Sequence, residues 1–259
     1  MANEIKISSI VLTLNEEKNI GRCLNSLKDV ADEMIVVDSF STDKTEEICR
    51  QFGVRFVQNK YINHIEQKQF AATLVSHDYI LMLDADECLS NPLIEKIKEI
   101  KISSGADGYF FNRFNKYCSK WIRHSGYYPD KKIRLWNKHK ADILGTNPHE
   151  RVVMKQGAIV KRINLDILHL AYGSIDEHLQ QMHNYAIITA KAKYHQGKKA
   201  NFLVHVILGP VFKFIKKYII QLGFLDGYYG FVFCAAESGM NFYKYLRLYQ
   251  YNKAGLPDE

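Results

Sequence analysis

Between Glu177 and Asp226 the sequence has no acidic residue, although Lys191, Lys193, Lys198, Lys199, Lys213, Lys216 and Lys217 all fall there. Other absences narrow the function classes. Five cysteines (Cys23, Cys49, Cys88, Cys118, Cys234) are scattered, odd in number and without CxxC spacing. That argues against a disulfide frame or zinc site and for a reducing compartment. The N-terminal stretch MANEIKISSIVLTLNEE lacks a signal-peptide layout, because its apolar run is short and acids follow at once. The cytoplasm is therefore the expected location. The longest uncharged run of FLVHVILGPVFKFIKKYIIQLGFL and its flank, about Asn201 to Phe212, falls short of the roughly 20 apolar residues that cross a bilayer. There is no internal repeat, no low-complexity segment and no glycine-rich phosphate loop near the N-terminus.

What is present is an ordinary globular composition, 47% hydrophobic and 24% charged over 259 residues, with a net charge of +7. A sizeable core is possible at this length. The basic balance fits nucleic acid, an anionic membrane or a phosphorylated substrate, so its distribution has to decide.

The most pointed stretch is YILMLDADE, residues 79 to 87, a greasy run that ends in three carboxylates. Its context is a regular alternation. ISSIVLTL (7–14), MIVVD (34–38), VRFV (54–57) and YILML (79–83) read as buried strands. Helical patterns separate them: one capped by Asn15, one over about 43–52 capped by Ser41 or Thr42, and one over about 64–76. Pro92 opens another, with Leu93, Ile94, Ile97 and Ile100 on its face. Near-continuous apolar strands between helices imply a parallel sheet covered on both faces. From about Asp107 the texture shifts to short strands (GYFFNRF, KKIRLW, VVMK, AIVKR, LDILHL), suggesting mixed or antiparallel additions. From about Ser174 the pattern is helical.

In parallel α/β sheets ligands bind beyond the carboxyl ends of the strands. Asp84 and Asp86 stand at such an end, and in extended chain they point the same way. Two adjacent carboxylates repel unless a cation joins them, and Mg²⁺ or Mn²⁺ with phosphate oxygens resolves this. The structural alternative is a pair of helix-capping acids. Asn15, Glu16, Glu17 and Asp38 end the first two strands on the same edge, where a base and ribose need placed acceptors. Lys68, with Gln67 beside it, is four residues after His64 and suits a diphosphate. Each has a dull reading as a first-turn acid or a solvated lysine; their convergence on one edge is the argument.

IVLTLNEEKNIGRCLNSL, MIVVDSFSTDKT, EQKQFA and LMLDADE occur in the order and spacing of the family-two inverting glycosyltransferases. The later GYYPDKKIRLWNK, NPHERV, LDILHLAYGS and GFLDGYYGF resemble the bacterial subgroup of lipopolysaccharide core biosynthesis. The resemblance implies a GT-A (Rossmann-like) α/β fold, its mostly parallel sheet flanked by helices, with a mixed acceptor-side extension and a C-terminal helical membrane-surface segment. It also implies a divalent metal, an inverted anomeric centre and a nucleotide-diphosphate sugar donor, commonly UDP-linked. By position, Asn15, Glu16 and Asp38 would contact the nucleoside and Lys68, with Gln67, the diphosphate side. Asp84 would meet ribose or metal, and Asp86 the metal. Two departures stand out: Phe40 where glycine is common, and Gln69 where asparagine is frequent. The first leaves the turn beside the base open to change.

An inverting displacement needs one carboxylate to take the acceptor's proton. Glu150 resembles the HE pair of the subgroup, with Asp130 and Glu87 as rivals and an ion pair as the structural alternative. His149 is placed to orient Glu150 or the acceptor. His169, at the end of LDILHL, is a candidate third metal ligand, although a histidine there is more often structural. Arg113, Lys116, Lys120, Arg123, Lys131, Lys132, Arg134, Lys138 and Lys140 make the middle segment basic. Phe110, Phe111, Phe114, Tyr117, Trp121, Tyr127, Tyr128 and Trp136 are interleaved with them. This reads as an acceptor site for a phosphorylated glycolipid, since the acid edge would repel a nucleic acid.

The expected organisation is a nucleotide-sugar-binding half (1–108), an acceptor-side half (109–173) and a membrane-associating helical region (174–259). Apolar bulk with lysines and no acids suits the anionic inner face of a bacterial inner membrane; a core helix with a lysine edge is the alternative. A polyprenyl-phosphate sugar transferase shares the donor chemistry but commonly carries transmembrane helices. A non-catalytic membrane-surface module with the same fold is the reading from a different class.

Overall fold

The computed structural model describes residues 4–103, 105–146 and 149–256, with the backbone alone for Thr146 and His149. No helix among the described residues is long and apolar enough to cross a membrane. Two compact units divide the chain: residues 1–114 with 130–169, and residues 115–129 with 170–259.

The first unit is built on strands β1 (Ile7–Thr13), β2 (Glu33–Asp38), β3 (Arg55–Gln58) and β4 (Tyr79–Asp84), which pair in parallel in the order β3-β2-β1-β4. Alternation along these strands feeds two cores. Val11, Val36, Leu81 and Leu83 pack with Leu24 and Leu27 of α1 (Ile20–Leu27) and with Leu93 and Ile97 of α4 (Asn91–Ile102). Ile10, Ile35, Val37, Ile80 and Met82 join Ala71 of α3 (His64–Thr73). Burial on both faces is why the strands read as unbroken apolar runs. Helix α2 (Thr45–Gln51) joins β2 to β3.

Beyond β4 the sheet continues through β8 (Asp130–Asn137), β6 (Gly108–Tyr117), β11 (Val160–Tyr172) and β5 (Glu87–Leu89). The β4–β8, β8–β6 and β5–β11 pairings are antiparallel, the mixed extension that the change in texture foretells. AIVKR and LDILHL are parts of one long strand, β11, because the intervening Ile163 and Asn164 are also extended. A separate hairpin, β9 (Ala141–Thr146) with β10 (His149–Met154), adds Ile143 to the second core. Gln69 donates to the Ile143 carbonyl at 2.9 Å, so it ties α3 to this hairpin.

The second unit is largely helical: α5 (Ile175–His195), α6 (Gly209–Ile215) and α7 (Gly227–Ala254), with short β7 (Lys120–Trp121) paired to the end of β6. Phe202–Leu208 and Lys216–Ile220, on either side of α6, wind as π-helix. Tyr117, Phe233, Cys234 and Ile122 form its core, and buried His178 meets the Tyr117 hydroxyl at 3.0 Å. Much of the apolar surface between Phe202 and Phe231 remains exposed, including Leu203, Phe212, Ile220 and Leu225.

Two expected caps are absent. Asn15 does not cap α1: it lies in a left-handed conformation (φ +56°), and Asn19 stands at the N-cap. Neither Ser41 nor Thr42 caps α2, where Lys44 occupies that position and Asp43 accepts from the Thr45 amide at 3.0 Å. The five cysteines are free thiols.

Candidate functional site

The loops that follow β1 and β2 are laced together by side chains. Asn15 Oδ1 accepts from the Thr42 amide at 2.8 Å, and the Asn15 amide donates to Ser41 Oγ at 2.7 Å. Fully buried Asp38 receives both the amide and the hydroxyl of Ser41. Glu16 takes an amide hydrogen from Asn19 at 2.7 Å. Gln67, on α3, accepts from Asn59 at 2.7 Å and donates to Ser39 Oγ at 3.1 Å. These polar groups share the carboxyl edge of β1 and β2. Phe40 adopts φ +64°, the left-handed region that glycine favours, and the residue is 54% exposed. The turn beside Asp38 thus has glycine's backbone conformation without glycine.

At the tip of β4 the extended alternation stops. Residues 85 and 86 form a turn before β5, so Asp84 and Asp86 are not neighbours on one strand face. Their partners differ accordingly. Asp84 accepts from Arg134 at 2.7 Å and lies 3.7 Å from Lys68 Nζ. Burial pushes the Asp84 carboxyl up, but Arg134 and Lys68 outweigh it and hold the group well below the usual carboxylate range. Asp86 Oδ2 is 3.1 Å from His169 Nε2, while its Oδ1 is buried with no hydrogen-bond partner among the described residues. The opposite pairing of His169 and Glu87 in the β5–β11 ladder brings that ring to the tip. Arg22 of α1 steadies the turn through the Asp86 carbonyl at 2.9 Å.

A chain of alternating charges runs from this tip. Lys68 Nζ is 2.7 Å from Glu150 Oε1. Arg134 joins Asp84 to Glu87 at 2.6 Å, and Arg113 stands 3.5 Å from Glu87 and 2.6 Å from Asp130. Lys132 closes the row on Asp130 at 3.3 Å. Glu150, Lys68, Asp84, Arg134, Glu87, Arg113 and Asp130 are therefore one network. Glu87 is fully buried and also accepts the Asp84 amide at 3.1 Å, which makes it a strut of the turn. Burial raises the Glu150 carboxyl, and Lys68 more than reverses this, leaving it low. Asp130 is raised by burial and held low overall by Arg113 and Lys132. The His149 side chain and residues 147 and 148 lie outside the described residues.

Each acid of that row has a cation beside it; among the described residues Asp86 is paired with a histidine instead. An orphaned carboxylate oxygen with a histidine on its twin suits a divalent cation. Among the described residues no group of three or more acidic, histidine or cysteine side chains gathers at metal-binding spacing. The protein thus offers only part of a coordination shell, as Mg²⁺ sites completed by substrate phosphates and water do. The residues present fit the metal on those terms.

The aromatic and basic acceptor-site reading needs correction. Arg113 and Arg134 are spent on internal acids. Phe111, Phe114, Tyr117 and Trp136 are buried in hydrophobic cores or beside them and present no face to a sugar. The residue that sequence reasoning misplaced most is Arg134, which binds two of the acids at the tip. Its signal was available: it shares a strand face with Trp136, two residues on, so a core location was legible from alternation.

The model of the family described as Glycosyl transferase family 2 matches residues 8–162. An "Uncharacterized glycosyltransferase" of Rickettsia bellii (strain RML369-C) is 33% identical over 237 residues, 88% of this chain and 80% of that protein. The "Lipopolysaccharide core biosynthesis glycosyltransferase LpsC" of Rhizobium meliloti (strain 1021) is 26% identical, with 96% of this chain and 94% of that protein covered. Among solved structures, glucosyl-3-phosphoglycerate synthase from Mycobacterium tuberculosis, in complex with Mn²⁺, UDP and glucosyl-3-phosphoglycerate, is 25% identical. That match spans 43% of this chain and 44% of the other, with a TM-score of 0.36. A family match across most of the β4-centred sheet, together with near full-length relatives, decides the assignment: the chain belongs to glycosyl transferase family 2 and is a glycosyltransferase.

Proposed function

We propose that this glycosyltransferase is an inverting, metal-dependent hexosyltransferase. Its donor is a nucleotide-diphosphate sugar, UDP-linked, and its acceptor a glycolipid of lipopolysaccharide core assembly. The work takes place at the cytoplasmic face of the bacterial inner membrane. The single observation that carries the donor reading is Asp86, whose buried, unpartnered Oδ1 stands at the tip of the fourth parallel strand. The acceptor reading draws on the printed name of the Rhizobium meliloti relative.

In this reading Asn15, Glu16 and Asp38 contact the nucleoside, with Gln67 fixing the loop that carries Asp38. Asp86, with His169 beside it, would be the protein's share of a Mg²⁺ or Mn²⁺ site, and Asp84 would meet the ribose. A divalent ion there would neutralise charge developing on the departing diphosphate. Lys68 is the pivot of the protein's own part. It is shared between Glu150 and Asp84 at 2.7 and 3.7 Å, and a diphosphate competes for the same ammonium. Drawn to the donor, Lys68 releases Glu150, whose burial then raises its basicity. Glu150 takes the acceptor hydroxyl's proton as that oxygen attacks the anomeric carbon opposite the leaving group. Asp130 is the second candidate for this task. Residues 1–108 serve as the donor half, 109–173 as the acceptor half and 174–259 as the membrane-associating region.

The test is a panel of nucleotide sugars screened for thermal stabilisation, followed by transfer to extracted core glycolipid. One UDP-sugar is expected to raise the melting temperature, since a ligand of the native state stabilises it, and to give a product of inverted anomeric configuration. Retention of configuration, or stabilisation by no nucleotide sugar, would contradict the proposal.

A further inference from the structure

The second unit carries half-buried lysines with too few acids to balance them. From His178 to Ala254 the chain contains two acids, Asp226 and Glu237. Asp226 is engaged by the His124 amide at 2.8 Å and by the Arg123 amide at 3.2 Å. Glu237, on α7, is left to two lysines: Lys213 at 3.0 Å and Lys217 at 3.5 Å, both on the same carboxylate oxygen. Lys217 also donates to the Ser125 carbonyl at 3.2 Å, a second anchor besides Glu237.

Seven residues further along α7, two helical turns and hence the same side, stands Lys244. Its ammonium lies 4.6 Å from the centre of the Tyr245 ring, and Lys193 of α5 reaches the same ring at 5.8 Å. Burial and repulsion from Lys213 and Lys193 push the Lys244 ammonium down to about 8, against the weaker opposing pull of Glu237, which already faces Lys213 and Lys217. Like charges held this way, partly out of water, are stabilised by an anion that several ammonium groups share. A phosphate, with several acceptor oxygens, suits lysine's point charge. The same helices expose Ile188, Phe212, Ile215, Phe242 and Leu246. A soluble anion would leave these apolar side chains in water, whereas acyl chains beneath a headgroup would cover them.

We propose that Lys193, Lys213 and Lys244 form a site for the phosphate headgroup of an anionic membrane lipid. This rests on the membrane reading of residues 174–259 and adds to it a place on the protein where one headgroup is held.

The experiment is flotation of the full chain with three vesicle types: phosphatidylcholine alone, and phosphatidylcholine with phosphatidic acid or phosphatidylserine at matched surface charge. The wild type is expected to prefer phosphatidic acid, whose phosphomonoester is open to several ammonium groups. Lys193→Gln/Lys244→Gln should weaken that binding by about thirtyfold, from roughly 1 kcal/mol per lysine near the surface, and abolish the preference. Lys198→Gln/Lys199→Gln removes the same charge from two exposed positions and should keep the preference. Equal loss of preference in both variants, or none in the wild type, overturns the headgroup site while leaving the membrane reading intact. If no vesicle binds, both fail. Stabilisation by inorganic phosphate without vesicle binding would assign the lysines to a soluble phosphate and overturn the lipid source. Circular dichroism checks folding, and Lys244→Gln alone serves should the double variant misfold.

Discussion

Phe40 sits at φ +64° and is half exposed, so little burial offsets the left-handed backbone. A non-glycine residue there costs about 1–2 kcal/mol, and glycine's extra unfolded-state freedom returns part of that. Phe40→Gly should therefore raise stability, by up to about 1 kcal/mol in urea denaturation, and Phe40→Ala should not. A loss of stability in Phe40→Gly would show the backbone to be unstrained. Glu150→Gln should bind donor at least as tightly as the wild type, because Lys68 is freed, and slow turnover by at least ~10²-fold; full activity would move the base to Asp130. At this scale Asp38, Asp84 and Asp86 could be read from strand ends, because carboxylates stand out after apolar runs, whereas Glu150 was legible only through the family resemblance. Their cations were harder to place. Lys68 and Glu150 are 82 residues apart in sequence, and nothing local announces that pairing. By charge Arg134 reads as one of many surface cations; only its alternation with Trp136 marks it as a core residue.

Strands β4, β8 and β6 are strapped by Arg134 and Arg113 across their carboxylates. The Arg134 side chain is only 8% exposed, so removing it takes the nearest counter-charge from Asp84 and Glu87 and leaves them the more distant Lys68 at 3.7 Å and Arg113 at 3.5 Å. Arg134→Met should cost about 3–5 kcal/mol of stability; a loss under about 1 kcal/mol, the scale of exposed pairs, would show the strap to be solvent-screened. A second strap has a pH signature. Glu33 accepts from Ser8 Oγ at 2.6 Å and from Ser76, and Asp32 from the Ile7 amide at 2.8 Å and Lys101 at 2.9 Å. Burial raises both carboxyls, yet these bonds hold them below their ordinary values. A depressed folded value means stabilisation that is full above the unfolded range, about pH 4, and is lost as the pH falls through the folded values. Glu33→Gln should therefore flatten the acid side of the stability curve; an unchanged acid limb would show that Glu33 contributes nothing there. The elements themselves were legible, since strands buried on both faces and amphipathic helices carry distinct periods. Helix starts were less so, because Asn15 and Ser41 bond to a neighbouring loop, a tertiary choice that local capping rules do not contain.

For the whole molecule, charge is segregated. Acids cluster at the carboxyl edge of the parallel strands, while residues 178 to 225 have none and leave many apolar side chains exposed. Binding of the wild type to anionic vesicles should therefore weaken steeply as salt rises from about 0.1 M to 1 M, where the screening length falls from about 10 to 3 Å. Salt-independent flotation would mean that apolar insertion alone drives it. The acid edge carries the central claim, that Asp86 is where a divalent cation and a nucleotide diphosphate meet. Calorimetric titration of UDP into the protein, with and without Mn²⁺, for the wild type and Asp86→Asn, tests it most directly. The account predicts tight binding only for the wild type with Mn²⁺, and binding that is weak and indifferent to Mn²⁺ for Asp86→Asn. UDP binding of equal strength in all four titrations would contradict it.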